Sequence, residues 1–454
     1  MKLQLKFLFI ALTLSLTLVP FLLAYGGVVG DFPAYLKIAD ELPHPTSNLL
    51  PLGFPLAIRL FSICTGEYFY SSLLLKMICF GSIIGFSVWK KFYVIETIIV
   101  MTLKSVFWIF IHQGSEYITL PFVYLYIYCF HQLLQHKIDT KSLIVYTSIL
   151  STLLVTIRYA NIFICISVFT LLILTWRTNK KYRIPVLGSL LGSGLGIGLF
   201  LLFNYFLFGS FTAGGERRND ETDHFIIDTY KDFVGLINLF NPLFFIKIFD
   251  FNSILKTIGS LLLLVFDCSL IIIIYRKLKS KIDHRFTFEL LVIAASLIIA
   301  ILTFFAAMFQ GIEPLAQRLL SMSFFMLWFA LLIIIRKTNL ISDQKLLYFA
   351  SFSLVFQSMF LIKIPANYLN IKHKIEQKLL SYEGVPKYYY DDLKEEKISV
   401  YEIPILNKRI EKVHEHLQPY QLHKSILRLN FPQIIILKEE PKDSTNVIYS
   451  SDLK

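Results

Sequence analysis

Residues 185–208 read PVLGSLLGSGLGIGLFLLFNYFLF, with no charged side chain among them. At about 1.5 Å of rise per residue, such a run crosses the roughly 30 Å hydrocarbon core of a bilayer as a helix. A basic cluster, Arg177 to Arg183, precedes it and Gly209 follows. Runs of this kind recur along the 454 residues, which are 55% hydrophobic and 17% charged, with a mean hydropathy of +0.61. That composition excludes an ordinary soluble protein. In lipid, only helices and closed barrels satisfy every backbone polar group. Barrel strands are short and alternate in polarity, whereas these runs are continuous. The expected fold is an all-α polytopic membrane protein.

Run length predicts about eleven transmembrane helices. They fall near 7–25, 70–88, 93–112, 118–134, 142–157, 160–176, 185–208, 253–275, 288–309, 316–335 and 344–362. The first follows Lys2 and Lys6 and is read as an uncleaved helix, because its apolar stretch exceeds the usual ~7–15 residues of a signal peptide. With those lysines inside, alternation assigns five loops to the cytoplasm: Lys90-Lys91, His136 to Lys141, Arg177 to Arg183, Arg276 to Arg285 and Arg336 to Asn339. All five are basic, as the positive-inside rule requires. The net charge of +12 therefore sets orientation and does not point to nucleic acid.

The opposite breaks carry isolated charges. Asp31, Glu116, Arg158, Glu313 and Arg318 all fall there, which predicts an active site on the outer face. Two outer loops are long. The first, from Gly26 to about Phe69, contains an apolar but proline-broken segment, Leu49 to Ile63, read as interfacial or re-entrant. The second, from Gly209 to about Asn252, holds a polar stretch with Glu216, Arg217, Arg218 and Asp220, then an aromatic amphipathic segment, Phe233 to Phe251, suited to the interface. Two domains are expected: a transmembrane domain over residues 1–362 and a small soluble α+β tail over 363–454. In the tail, Glu402 to Leu417 has helical periodicity, and Gln433 to Leu437 and Asn446 to Tyr449 resemble strands. Cys64, Cys79, Cys129, Cys165 and Cys268 are scattered through apolar stretches and read as small buried hydrophobes.

Each outer charge has a chemical reading and a structural alternative. Asp31 could act as general base toward an acceptor hydroxyl or amine, or cap the helix that begins at Phe32, with Pro33 in its first turn. Ser115-Glu116 could stand near a reacting centre or open a helix, as cap and first-turn acid. Arg158 offers a bidentate fork for a phosphate, or it snorkels to the surface. Arg217 and Arg218 could contact phosphate or form a solvated loop with Glu216 and Asp220. Glu313 and Arg318 could pair within the segment that opens the tenth span. Asp267, near the middle of the eighth, is a functional candidate with no evident partner. His112 reads as an interfacial side chain. Nucleotide-binding and classical hydrolase motifs are absent.

The first loop, Asp31 followed by Tyr35-Leu36-Lys37-Ile38-Ala39 and then Pro51-Leu52-Gly53-Phe54-Pro55-Leu56, resembles that of GT-C glycosyltransferases. The bacterial protein O-mannosyltransferases and lipid A aminoarabinose transferases are the nearest branch. Ser115-Glu116, the Asn204 to Gly209 run and the Glu313-to-Arg318 segment are similar to later family features. The resemblance implies an inverting transfer of a sugar from a polyprenyl-phosphate donor to an envelope glycan, lipid or protein. It implies Asp31 and Glu116 as catalytic acids and Arg158, Arg318 and Arg217 as donor-phosphate ligands. Tyr35 and Glu313 would bind or support the acceptor, with a divalent cation possible. The expected setting is a bacterial inner membrane with the site on its periplasmic face. The alternatives are a transporter or flippase of lipid-linked sugars, against which the lack of internal repeats argues, and a glycan polymerase or ligase.

Overall fold

A computed structural model describes residues 2–22, 31–45, 47–66, 68–168, 180–212, 225–244, 254–279, 287–309, 315, 318–362, 387–390, 434–436, 441 and 447–449. Most of these residues are helical. Six helices among them are long and apolar enough to cross a membrane: Leu3–Pro20, Tyr68–Lys90, Glu116–Leu134, Thr140–Ile157, Arg183–Phe208 and Thr287–Met308. A seventh span is formed if Val94–Met101 and Lys104–Ile111 are taken together, although a 68° bend separates them. The chain is thus an integral membrane protein of helical architecture.

The described residues do not reach the expected count of about eleven spans. Three further expected spans, at 253–275, 316–335 and 344–362, coincide with the helices Ile254–Lys279, Ser321–Lys337 and Asp343–Leu361, which are not among those six. The Ser321–Lys337 helix has 17 residues, and Ser321 through Ile334 are all buried. The run at 93–112 is broken at Thr102-Leu103 into the two bent halves. Of the run at 160–176, the described part, up to Val168, lies in the apolar helix Tyr159–Val168. The Asp343–Leu361 helix coincides with the expected last span but is less apolar.

One helix pair shows how the bundle closes. Gly188, Gly192 and Gly196 lie on one face of the Arg183–Phe208 helix. A β-carbon on any of them would run into Ile144, Ser148 or Thr152 of the Thr140–Ile157 helix. Ser193 Oγ donates to Ser151 Oγ at 3.0 Å along the same seam. Small residues at four-residue spacing let two helix backbones approach where lipid provides no hydrophobic drive between them.

Ion pairs fasten the end of the bundle that carries the basic loops. Arg336 meets Glu96 at 2.6 Å and Asp343 at 2.8 Å, and Lys337 meets the fully buried Glu289 at 2.6 Å. Midway along, Asp267 is not alone. Its carboxylate accepts from Asn238 Nδ2 at 2.7 Å and Asn241 Nδ2 at 2.6 Å. Asn238 in turn accepts from Lys104 Nζ, which also donates to the carbonyl of Phe244 at 3.0 Å. Lys104 opens the second half of the bent pair. The cluster satisfies the buried charges, and the backbone groups freed at the break find other partners: the Thr102 carbonyl accepts from Ser353 Oγ at 2.7 Å and the Lys104 amide donates to the Pro242 carbonyl at 3.1 Å.

The first loop folds into two helices. Phe32–Glu41 follows Asp31 directly, and Gly53–Thr65 lies where an interfacial segment was expected. The second helix buries Phe54 and Ile58 and leaves Leu56, Leu60 and Ile63 exposed on the other side. Cys64 on this helix is exposed, contrary to the reading of all five cysteines as buried. In the tail, strands occur at Ile434–Ile436 and Val447–Tyr449, within the expected segments. Both pair in parallel with Lys387–Tyr390, a strand the sequence did not reveal, which takes the central place. The helical expectation at 402–417 lies outside the described residues.

Candidate functional site

The helix ends opposite the basic loops bring four charged side chains from four chain segments together. Asp31 sits at the position preceding the Phe32–Glu41 helix, and its side chain makes no capping bond. Its Oδ2 lies 3.3 Å from Arg318 Nη2 instead. Glu116 is the first residue of the Glu116–Leu134 helix, where the field of the helix N-terminus favours a carboxylate. Its Oε1 is 3.0 Å from Arg158 Nη1 and 3.5 Å from Arg318 Nε. Glu116 therefore bridges two guanidiniums, and Arg318 bridges two carboxylates.

Exposure separates the two acids. The Asp31 side chain is 48% exposed and that of Glu116 is 4% exposed. The arginines are largely enclosed, at 15% for Arg158 and 13% for Arg318. The snorkelling alternative for Arg158 does not apply, because its head turns inward to Glu116. Ser115 likewise does not cap its helix. Its hydroxyl accepts from Tyr35 Oη at 3.1 Å, which links the first-loop helix to the start of the Glu116–Leu134 helix. Burial pushes the Tyr35 phenol up to about 12, with the charges of Glu116 and Asp31 adding to the rise and Ser115 and Arg158 opposing it. Tyr35 thus keeps its proton and serves as a hydrogen-bond donor to Ser115.

The surrounding residues fix these groups. The Tyr35 ring meets Phe54 edge-on at 4.9 Å, and Phe54 meets Tyr117 edge-on at 5.6 Å. Gly53 lets the Pro51-to-Pro55 segment press against the end of the Thr140–Ile157 helix. A β-carbon at Gly53 would stand 2.7 Å from the Thr156 carbonyl oxygen, two residues before Arg158. Tyr159, beside Arg158, donates to the Asn48 carbonyl at 3.0 Å and accepts from Asn204 Nδ2 at 3.0 Å. Asn48 also exchanges hydrogen bonds with Ser210. The Asn204 to Gly209 run is therefore tied to the first loop and to the segment holding Arg158.

Arg318 is held from behind. Its carbonyl accepts from the amide and hydroxyl of Ser321. The Leu315 amide donates to buried Asp232 Oδ1 at 2.7 Å, and Gly235 lies against the Leu315 carbonyl with no room for a β-carbon. Asp232 and Gly235 belong to the Phe225–Ile237 helix, so that helix sets the turn that carries Arg318.

Of the expected site residues, Asp31, Tyr35, Glu116, Arg158 and Arg318 converge. Arg217 and Glu313 lie outside the described residues. His112 stacks on Trp108 at 4.1 Å and bonds its carbonyl. Among the described residues no group of three or more His, Cys, Asp or Glu is placed to hold a metal ion. Asn48, Asp232 and the buried lysines Lys76 and Lys104 escaped the reading of the sequence. A charge inside an apolar run was the available signal for both lysines. Asn48 and Asp232 had no comparable signal, since polar residues in outer segments are commonplace. Compared with known proteins, the chain matches no family model, no curated protein and no solved structure.

Proposed function

We propose that the chain is an integral membrane glycosyltransferase that moves a sugar from a polyprenyl-phosphate donor to an envelope glycan, lipid or protein at the outer face of a bacterial inner membrane. The observation that carries the reading is the meeting of Asp31, Glu116, Arg158 and Arg318 at the helix ends opposite the basic loops. Arg158 and Arg318 are directed to the donor phosphate, since a guanidinium meets phosphate oxygens through two parallel donors. Arg217 joins them as a further phosphate ligand by resemblance alone. Asp31, the exposed acid, takes the proton of the acceptor O–H or N–H. The acceptor atom then bonds to the anomeric carbon as the bond from that carbon to the phosphate oxygen breaks. The polyprenyl phosphate leaves with the electron pair, and the configuration inverts. Phosphate is a capable leaving group, so positioning and charge stabilisation supply most of the acceleration.

Glu116 is assigned to holding the two arginines at a fixed separation, because its buried carboxylate is poorly placed to meet an acceptor. Tyr35 and Glu313 are assigned to acceptor binding or support. A second reading, a transporter or flippase for lipid-linked sugars, draws support from the 68° break at Lys104, since transporters use discontinuous helices. The exposed Asp31 favours transfer, because transport needs no base. The test is the pool of lipid-linked sugars in cells lacking the protein. Transfer predicts a build-up of polyprenyl-phosphate sugar together with an acceptor that lacks the sugar. An unchanged pool and a fully glycosylated envelope would rule the reading out.

A further inference from the structure

Among the described side chains of the site, charge is balanced. Two carboxylates, Asp31 and Glu116, face two guanidiniums, Arg158 and Arg318. An entering phosphate seeks the same guanidinium hydrogen bonds that the two acids already hold. It therefore competes with a carboxylate for its place. The two are unequal competitors. Glu116 is almost wholly enclosed and touches both arginines. Asp31 is half exposed and, among the described arginines, pairs with Arg318 alone, at 3.3 Å. A half-exposed partner is cheap to remove, because water replaces the lost contact. A buried and doubly paired one is not.

We propose that Asp31 occupies the phosphate place on Arg318 in the empty site, and that donor phosphate displaces it. The inference rests on the glycosyltransferase reading and adds an order of events to it. Arg318 exchanges one anion for another, and the released Asp31 carboxylate turns to water and to the acceptor. Only then is that oxygen free to meet the acceptor, since the guanidinium otherwise occupies it. Donor binding thus arms the base, and acceptor binds productively second. With the donor absent, Asp31 stays engaged and cannot activate a stray hydroxyl. The same contact makes Asp31 a self-inhibitor of phosphate binding, so removing its charge has opposite effects on binding and on turnover.

The experiment measures binding of dodecyl phosphate and of inorganic phosphate to the purified full-length protein in detergent, for the wild type, Asp31→Asn and Arg318→Gln. Asp31→Ser stands in if the first variant fails to fold, judged by its thermal unfolding. The expected result is that neutralising Asp31 tightens dodecyl phosphate roughly tenfold, the release of one like-charge contact. Inorganic phosphate binds more weakly but gains by a similar factor, because the headgroup is what competes. Unchanged or weaker binding in the neutral variants overturns the inference while Arg318→Gln still abolishes binding, in which case the phosphate site itself stands. A gain with dodecyl phosphate and none with inorganic phosphate assigns the effect to the alkyl chain and also overturns it. Wild-type affinity for both probes in Arg318→Gln removes the phosphate reading beneath it.

Discussion

Asp31 Oδ2 and Arg318 Nη2 lie 3.3 Å apart although 287 residues separate them in the chain. The contact joins the start of the first-loop helix to the turn before the Ser321–Lys337 helix, which is buried from Ser321 to Ile334. It brings an exposed carboxylate to a guanidinium that also meets Glu116. Among the described residues, two of the three acid–base contacts at the site depend on Arg318, so its turn decides how the site is assembled.

Replacing Glu116 should reveal an organiser. Glu116→Gln keeps the shape and leaves two enclosed guanidiniums without their shared anion. Breaking a buried pair from one side costs about 3–5 kcal/mol. A lowered unfolding temperature in detergent is therefore expected along with lost transfer. Asp31→Asn, by contrast, removes a half-exposed contact of about 0–1 kcal/mol and should leave the unfolding temperature nearly unchanged. Equal destabilisation by the two variants would contradict the division of roles.

The Phe225–Ile237 helix should act through Arg318. In Asp232→Leu the Leu315 amide loses its acceptor and the turn can shift. We expect KM for the donor to rise roughly tenfold, the effect of about 1.4 kcal/mol, with a smaller fall in kcat. Asp232→Asn retains an acceptor oxygen and should restore most of the loss. Kinetics of both variants check this, and a pure fall in kcat would speak against a positioning role.

Much of the site could be read from the sequence, because an isolated charge beside lipid is costly and stands out. Asp31, Glu116, Arg158 and Arg318 were found that way. Lys104 carries the same signal, but its partner Asn238 lies 134 positions away, and Asp267 looked solitary for the same reason. Burial was harder. The Ser321–Lys337 segment is as apolar as a lipid-facing helix but is enclosed over Ser321 to Ile334, and hydropathy is blind to that difference. The tail strand Lys387–Tyr390 gave no periodic cue, because Lys-Tyr-Tyr-Tyr shows no apolar–polar alternation.

The Lys104 cluster is expected to behave as a unit. Lys104→Met alone leaves Asp267 buried without its nearby cation and should destabilise by about 3–5 kcal/mol. Adding Asp267→Leu should recover part of that loss, which thermal unfolding of the single and double variants measures. Strict additivity would show that the two charges do not interact.

Tyr35 supplies a pH test. Its phenol is pushed up to about 12, mainly by burial. The unfolded chain therefore releases this proton at lower pH than the folded one. Stability is fully present below the ordinary tyrosine range and falls as pH rises through it toward 12. Tyr35→Phe should remove that part of the alkaline fall, visible as a flatter plot of unfolding temperature against pH, and a fall of unchanged steepness would contradict the assignment.

The most direct measurement is sugar transfer in native membranes containing wild-type or Asp31→Asn protein at matched levels, followed as loss of polyprenyl-phosphate sugar and gain of glycosylated acceptor. If Asp31 takes the acceptor proton, the variant should lose at least about a hundredfold in transfer, the usual contribution of a positioned base, while its unfolding temperature stays that of the wild type. Near-normal transfer by a folded Asp31→Asn protein would contradict the proposed chemistry.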